Sequence, residues 1–135
     1  MIQILEVVQG GGDKISASAS QRRESDRACS LAISIAGAFF DKKEDEISSP
    51  SRSSAAACEA RHIAIYLAHV VFQQPHRSIA AAFARDRTSI THALRRVEDR
   101  RDDVKFDALL CRMERLAASC RDQLNHHSID EGVAQ

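Results

Sequence analysis

Side chains that bind phosphates and base edges are concentrated on one side of a predicted helix that begins after Asp86. Apolar residues recur in this helix at i, i+3, i+4 and i+7, which is the spacing of a single buried stripe. The stripe is formed by Ile90, Ala93, Leu94 and Val97. The polar residues that point away from it are Arg87, Thr88, Thr91, His92, Arg95 and Arg96. Guanidinium and hydroxyl groups in this arrangement predict a contact with nucleic acid, because they donate hydrogen bonds to phosphate oxygens and to base edges.

The segment before this helix predicts the element that must position it. A shorter amphipathic helix comes first, and only Ala84 and Arg85 remain for the connection between the two. Asp86 stands where its carboxylate can accept a hydrogen bond from the free N–H of Thr88 or Ser89 and start the second helix. Two amphipathic helices joined by so short a corner predict a helix-turn-helix, whose second helix enters the major groove of DNA.

The distribution of charge supports a local contact with DNA. The formal net charge of the chain is zero, which argues against a general polyanion binder. Residues 52–101 nevertheless contain nine arginines against four acidic side chains, and the segments on either side are net negative. We therefore expect the positive charge to lie around the helix-turn-helix.

The remaining pattern predicts an all-α protein. Helices are expected over residues 25–40, 55–72 and about 102–124, the last with Leu116 on its inward face. Five glycines and two prolines in 135 residues also favour helices over a turn-rich β fold. Together with the helix-turn-helix, these segments predict a compact bundle of five or six helices.

The ends of the chain differ in composition from this bundle. Residues 1–23 contain the runs GGGDK and SASAS and predict a flexible N-terminal lead. Residues 24–124 form the predicted helical domain, and residues 125–135 lack periodicity and predict a disordered tail. A signal peptide and a membrane-spanning segment are not expected, and the four cysteines suit buried thiols in a cytoplasmic protein.

No catalytic, cofactor or metal site is expected. Cys58 and His62 have helical spacing, but no second pair completes a metal site. The GGGDKIS run lacks the spacing of a phosphate loop, and the paired carboxylates fall in polar turns where capping is the better interpretation. We therefore expect a protein that is not an enzyme.

Three ordered blocks of sequence resemble a known family. The blocks ARHIAIYLAHVV, SIAAAF and RDRTSITHALRRVED are similar to the C-terminal DNA-binding domain, domain IV, of the bacterial replication initiator DnaA. The resemblance covers about residues 28–120 and is strongest across 60–99. It implies a TrpR-like helix-turn-helix bundle that reads a DnaA box, and it implies no ATPase module within this chain.

The resemblance also implies roles for individual residues. Arg87, Thr88 and Ser89 would face base edges and phosphates, while Asp86 would cap the helix and reach a base. In the wider expected DNA-binding set, Arg52 would enter the minor groove, Arg61 and His62 would contact the backbone or nearby bases, and Arg77 would lie near a thymine methyl. The set is completed by Arg85, Thr91, His92, Arg95 and Arg96. For His92, contact with the DNA backbone and simple packing both stay open.

This sequence also departs from the family pattern. The family's histidine is replaced by Arg87, its second threonine by Ser89, and its glycine pair by the single residue Ala84. An unchanged preference for the initiator's box is therefore not expected, since arginine at position 87 favours guanine through its O6 and N7 atoms.

These observations together predict a cytoplasmic, nucleoid-associated protein, a monomer or weak homodimer, that binds double-stranded DNA at DnaA-box-like sites. It would regulate replication initiation or transcription without ATPase activity. The alternative is a helical adaptor that has lost specific DNA binding and instead binds a protein partner such as the replication initiator. Steep salt dependence of DNA affinity would separate the two.

Overall fold

The computed structural model describes residues 11–49 and 54–133, and the side chains of residues 19–49 and 54–126. Those ranges contain six helices and no strand, which confirms the all-α prediction. The helices are α1 (Gly11–Phe40), α2 (Glu44–Ser48), α3 (Ala55–Val70), α4 (His76–Phe83), α5 (Arg87–Arg100) and α6 (Val104–Val133). None of these helices combines the length and the apolar character that crossing a membrane requires.

Helix α3 lies at the centre of the bundle and packs against α1, α2, α4 and α5. It begins at a capped end, where Ser54 Oγ accepts a hydrogen bond from the N–H of Ala57 at 3.1 Å. Its apolar side is buried in the core through Ala60, Ile63, Ala64, Leu67 and Ala68, followed by Val71 just after the helix. Alanines of α1 and α3 are buried together in this core, and α5 packs against another part of α3.

The corner between α1 and α2 depends on one glycine. The N–H of Lys42 donates to the carbonyl of Gly37 at 3.0 Å, and Asp41 between them has a φ of 54°. A Cβ atom on residue 37 would lie 2.6 Å from the carbonyl oxygen of Lys42. Gly37 therefore permits the close approach that places α2, with its buried residue Ile47, against α1 and α3.

The predicted helix-turn-helix is confirmed. Ala84 adopts a left-handed conformation with φ 53° and ψ 48°, and the N–H of Arg85 donates to the carbonyl of Ala80 at 2.9 Å. Asp86 Oδ1 accepts a hydrogen bond from the N–H of Ser89 at 2.7 Å and so caps α5. The apolar side of α5 is buried through Ile90, Ala93, Leu94 and Val97, as the periodicity predicted.

The helix bounds differ from the prediction at both ends of the chain. Helix α1 begins at Gly11 and not near residue 25, and α6 continues to Val133 and not to residue 124. Gly11 and Gly12 stand in the first turn of α1, and the alanine, arginine, glutamine and glutamate residues that follow are good helix formers. The division into a lead, a domain and a tail stays a prediction.

One inward residue of α6 was predicted wrongly. Leu116 is 45% exposed, and Ala117 beside it is fully buried. The buried stripe of α6 runs through Phe106, Leu110, Met113 and Ala117. Neighbouring helical residues lie about 100° apart, so the burial of Ala117 turns Leu116 towards solvent.

Candidate nucleic-acid interface

The outer face of α5 presents a continuous polar surface. The exposed residues on it are Arg87, Thr88, His92, Arg95 and Arg96, with Ser89 and Thr91 half-buried beside them. Within the described ranges, Arg87, Arg95 and Arg96 form no ion pair. Thr91 Oγ1 donates to the carbonyl of Arg87 at 3.1 Å, which keeps this hydroxyl close to the helix. The face therefore offers guanidinium groups that are available for an anionic partner.

The C-terminal end of α5 is anchored to the bundle. Arg100 forms an ion pair with Glu59 and lies over the ring of Phe106, 3.9 Å from its centroid. Arg101 Nε donates to Asp107 Oδ1 at 2.5 Å, and its Nη1 atom donates to the hydroxyl of Tyr66 at 2.9 Å. These contacts fix the rear of the helix and leave its front as the surface that a ligand can reach.

Glu114 completes the contacts of Arg101. Its two carboxylate oxygens accept from Arg101 Nη1 and Nη2 at 3.1 and 3.2 Å. The hydrogen bond to Asp107, followed by that to Glu114, raises the pKa of Arg101 further above its ordinary value. Arg101 is therefore a fixed cation of the fold.

A cleft of about 370 Å³ separates α3 from the start of α5. Its walls include His62 and Cys58 from α3 and Thr88 and His92 from α5. The rings of His62 and His92 are perpendicular, with their centroids 6.4 Å apart. Burial, followed by the positive charge of Arg96, lowers the pKa of His62 to about 4. The cleft thus contains a neutral His62 at neutral pH beside a cationic surface.

The side chains near this cleft do not form a metal site. Cys58 Sγ and His62 Nε2 are 3.7 Å apart, which brings together the pair whose spacing the sequence indicated. Among the described residues, no group of three or more histidine, cysteine or acidic side chains is placed to hold a metal ion.

Arg61, which was expected to face DNA, instead points into the protein. It is 5% exposed, and its Nε atom donates to the carbonyl of Ile47 at 2.6 Å. Its Nη2 atom donates to the carbonyl of Ser49 at 3.3 Å. Burial lowers the pKa of Arg61, and the nearby charge of Arg85 adds to this effect. The resemblance implied that Arg61 contacts DNA, but α2 folds over this part of α3.

Arg85 lies in the turn and is half-buried. Its Nη2 atom donates to the same carbonyl of Ser49 at 3.0 Å. Its Nε atom is buried and makes no hydrogen bond to the described part of the chain. The sequence could not indicate Ile47 and Ser49 as partners of these arginines, because every residue carries a backbone carbonyl.

Two further expected DNA-binding residues are exposed at the protein surface. Arg77 is exposed on α4, and Asp86 is exposed at the N-terminus of α5. The hydrogen bonds from Ser89 lower the pKa of Asp86, so its carboxylate stays charged as the helix cap. Arg52 lies outside the described residues. The structure therefore brings Asp86, Arg87 and Thr88 together at one helix end, next to the cleft.

Comparison with known proteins identifies the region that carries this surface. The profile of the family described as bacterial dnaA protein helix-turn-helix matches residues 32–97. No curated protein sequence matches the chain. The crystal structure of a DNA replication initiation factor matches with a TM-score of 0.70 and 26% identity, over 87% of this chain and 35% of that one.

A second solved structure, of the replication initiator DnaA bound to AMPPCP and single-stranded DNA, matches with a TM-score of 0.65 and 26% identity. It too covers 87% of this chain and 35% of its own, so the chain spans about a third of the length of the initiators it resembles. The matched region contains α2 to α4 and nearly all of α5. Residues 32–97, with their turn and exposed second helix, are therefore similar to the helix-turn-helix of the bacterial dnaA protein.

Proposed function

We propose that this protein binds double-stranded DNA in a sequence-specific manner, with the N-terminal half of α5 in the major groove. The observation that carries the proposal is the state of Arg87: it is exposed at the first position of α5 and forms no ion pair within the described residues. It lies at the end of a helix whose other end is anchored by Arg100 and Arg101. A rigid helix with free donors at its tip is the geometry that direct base readout needs.

The residues at the tip of α5 suit different parts of a base pair. Arg87 can donate two parallel hydrogen bonds to O6 and N7 of guanine, and Thr88 can contact a base edge or a phosphate. Asp86 caps the helix through Oδ1, and we propose that its exposed carboxylate also accepts a hydrogen bond from an amino group such as that of cytosine. We propose these three residues as the sequence-reading set, with Ser89 beside them.

The flanking residues suit the DNA backbone. Arg95 and Arg96 are exposed along α5, and Arg77 is exposed on α4. We propose that these arginines contact phosphates, together with Thr91 and His92. Such contacts position the protein without reading sequence, and each one releases counterions, so affinity should fall steeply as salt rises.

The family relationship supports a role at the sites that an initiator uses. We propose that the protein occupies DnaA-box-like sites at the nucleoid and regulates replication initiation or transcription. We also propose that it does so without ATPase activity, since the region that matches the family is the helix-turn-helix. The replacement of the family's histidine by Arg87 suggests a site enriched in guanine.

A selection from random duplexes, followed by mutation of the tip, tests the proposal. The wild-type protein should enrich a defined site, and Arg87→Ala combined with Thr88→Ala should lose the preference for that site over a scrambled duplex. The matched control is Arg115→Ala combined with Ser119→Ala, which removes the same two kinds of group from the exposed face of α6. If the Arg87→Ala and Thr88→Ala double variant prefers the selected duplex as strongly as the wild type does, α5 does not read the DNA sequence.

The zero net charge of the chain favours one alternative, an adaptor that binds a protein partner such as the initiator. An adaptor of this kind should show no duplex preference at any salt concentration. DNA binding through several phosphates should instead show a log–log salt slope of about −0.9 for each contact. A salt titration of the wild-type protein with the selected duplex therefore separates the two functions.

A further inference from the structure

We propose that Arg61 and Arg85 act in DNA recognition as positioning residues, which fix the start of α5 by binding backbone carbonyls and do not contact DNA. This inference rests on the proposed function and adds a division of labour among its arginines. The two side chains and the carbonyls of Ile47 and Ser49 are called here the arginine–carbonyl cluster.

The acceptors of the cluster lie at the C-terminal end of α2. The last carbonyls of a helix have no partner within that helix, and they carry the negative end of its peptide dipoles. Arg61 supplies two donors to them, with Nε 2.6 Å from the carbonyl of Ile47 and Nη2 3.3 Å from that of Ser49. This planar fork joins α3 to α2 in a fixed orientation.

Arg85 extends the cluster to the turn. Its Nη2 atom reaches the Ser49 carbonyl at 3.0 Å, so one acceptor oxygen binds α3 and the helix-turn-helix together. Arg85 directly precedes Asp86, the cap of α5, and stands two residues before Arg87. A shift of Arg85 is therefore transmitted to the residues proposed to read bases.

The inward orientation argues against direct contact with DNA by Arg61. Its guanidinium is buried, and its Nε and Nη2 atoms donate hydrogen bonds to backbone carbonyls. To reach a phosphate it would have to leave the carbonyl of the buried residue Ile47, and a buried carbonyl that loses its donor is costly. The exposed Arg96, in contrast, needs no rearrangement to meet a phosphate.

Charge-preserving substitution distinguishes the two roles. Arg61→Lys keeps a positive charge but has no fork that can bind both carbonyls. If the cluster positions α5, this variant should lose at least tenfold in discrimination between the selected and a scrambled duplex, with the salt slope unchanged. If Arg61 is instead a phosphate contact, the lysine should preserve both quantities, and that result would overturn the inference.

Arg85→Met provides a second variant, because Arg85 is half-buried and the fold tolerates its loss more readily. It should also lose discrimination at an unchanged salt slope. A slope reduced by about 0.9 with discrimination retained would mark Arg85 as a phosphate contact and would overturn its positioning role. If Arg61→Lys fails to show the wild-type helical circular dichroism signal, Arg85→Met alone decides.

The matched control is Arg96→Met, which removes an exposed arginine from the proposed phosphate-binding face. It should lower the magnitude of the salt slope by about 0.9 and leave discrimination near the wild-type value. Absence of any sequence preference in the wild-type protein overturns the proposed function and this inference together. A wild-type preference that survives unchanged in Arg61→Lys and Arg85→Met overturns the inference alone.

Discussion

At the N-terminal end of α5, Arg87 extends into solvent without an ion pair in the described ranges, whereas Arg100 and Arg101 at the other end are both paired. Arg101 alone contacts Asp107, Tyr66 and Glu114. The arginines at the C-terminal end of α5 are thus held by carboxylates, and the arginine at its N-terminal end is exposed to solvent.

This difference shows that residue type does not decide the role of an arginine in this protein. A guanidinium with a carboxylate partner has its charge and its donors satisfied, and it contributes to folding. An exposed guanidinium with neither a carboxylate nor a backbone carbonyl as partner has both available for a ligand. We therefore expect mutations at the two ends of α5 to separate stability from DNA binding.

The largest expected effect comes from Arg101→Met. This change removes charge-assisted hydrogen bonds to Asp107 and Glu114 and leaves the two carboxylates without their cation. Since the side chain of Arg101 is 28% exposed, we expect a loss of about 2 kcal/mol in the free energy of unfolding, not the full cost of breaking a buried pair. Urea denaturation followed by circular dichroism measures this loss.

The control for the C-terminal end is Arg95→Met, at an exposed and unpaired position. Its free energy of unfolding should stay within about 0.5 kcal/mol of the wild type. Its DNA affinity should become less dependent on salt, while folded Arg101→Met should keep the wild-type salt slope. If Arg101→Met and Arg95→Met have the same free energy of unfolding, the contacts of Arg101 do not stabilise the C-terminal end of α5.

A smaller effect should follow from pH, and it concerns the N-terminal end. Burial lowers the pKa of His62 to about 4, and the pKa of an unfolded histidine is about 6.5. The unfolded chain therefore binds the proton more readily, and stability falls as pH decreases from about 6.5 to about 4. Because His62 is half-buried and partly screened by solvent, we expect the loss to be roughly 1–2 kcal/mol.

His62→Gln isolates this contribution, because it removes the titrating group and keeps a polar side chain at this position. Urea denaturation at pH 7 and at pH 4.5 gives the change in stability for both proteins. Between pH 7 and pH 4.5, the free energy of unfolding should decrease less for the variant than for the wild type. The difference between the two decreases is the contribution of His62. Identical losses would mean that His62 is not held neutral beside the start of α5.

The sequence was sufficient to predict the elements that depend on local pattern. The apolar stripe from Ile90 to Val97 and the cap at Asp86 rest on spacings within one helix, and both are confirmed. The helix-turn-helix and most of α3 were predicted in the same way, from the apolar spacing within each helix and the short connection between α4 and α5. These features require no knowledge of how distant segments meet.

The roles of the individual arginines could not be predicted in this way. Arg61 is buried because α2 folds over the part of α3 that carries it, and Arg101 is fixed by partners on α3 and α6. These contacts join residues that are far apart in the chain, and some acceptors are backbone carbonyls. The local sequence around an arginine therefore does not indicate whether its side chain is exposed or buried.

The smallest predicted effect concerns the turn that connects the two helices. Ala84 has a φ of 53°, a conformation that is costly for alanine and accessible to glycine. Ala84→Gly should relieve this strain but also increase the entropy of the unfolded chain, so we expect a net gain of only about 0.5 kcal/mol. Ala81→Gly, at an exposed helical position of α4, should instead cost about 1 kcal/mol. If urea denaturation gives changes of opposite sign in the free energy of unfolding, the conformation of the turn, and not the introduction of glycine itself, determines the outcome.

A loss of stability in both variants would contradict the strain at Ala84. Since neither change touches an arginine, DNA discrimination should stay at the wild-type value, which would locate recognition in the side chains of α5 and not in the identity of the turn residue.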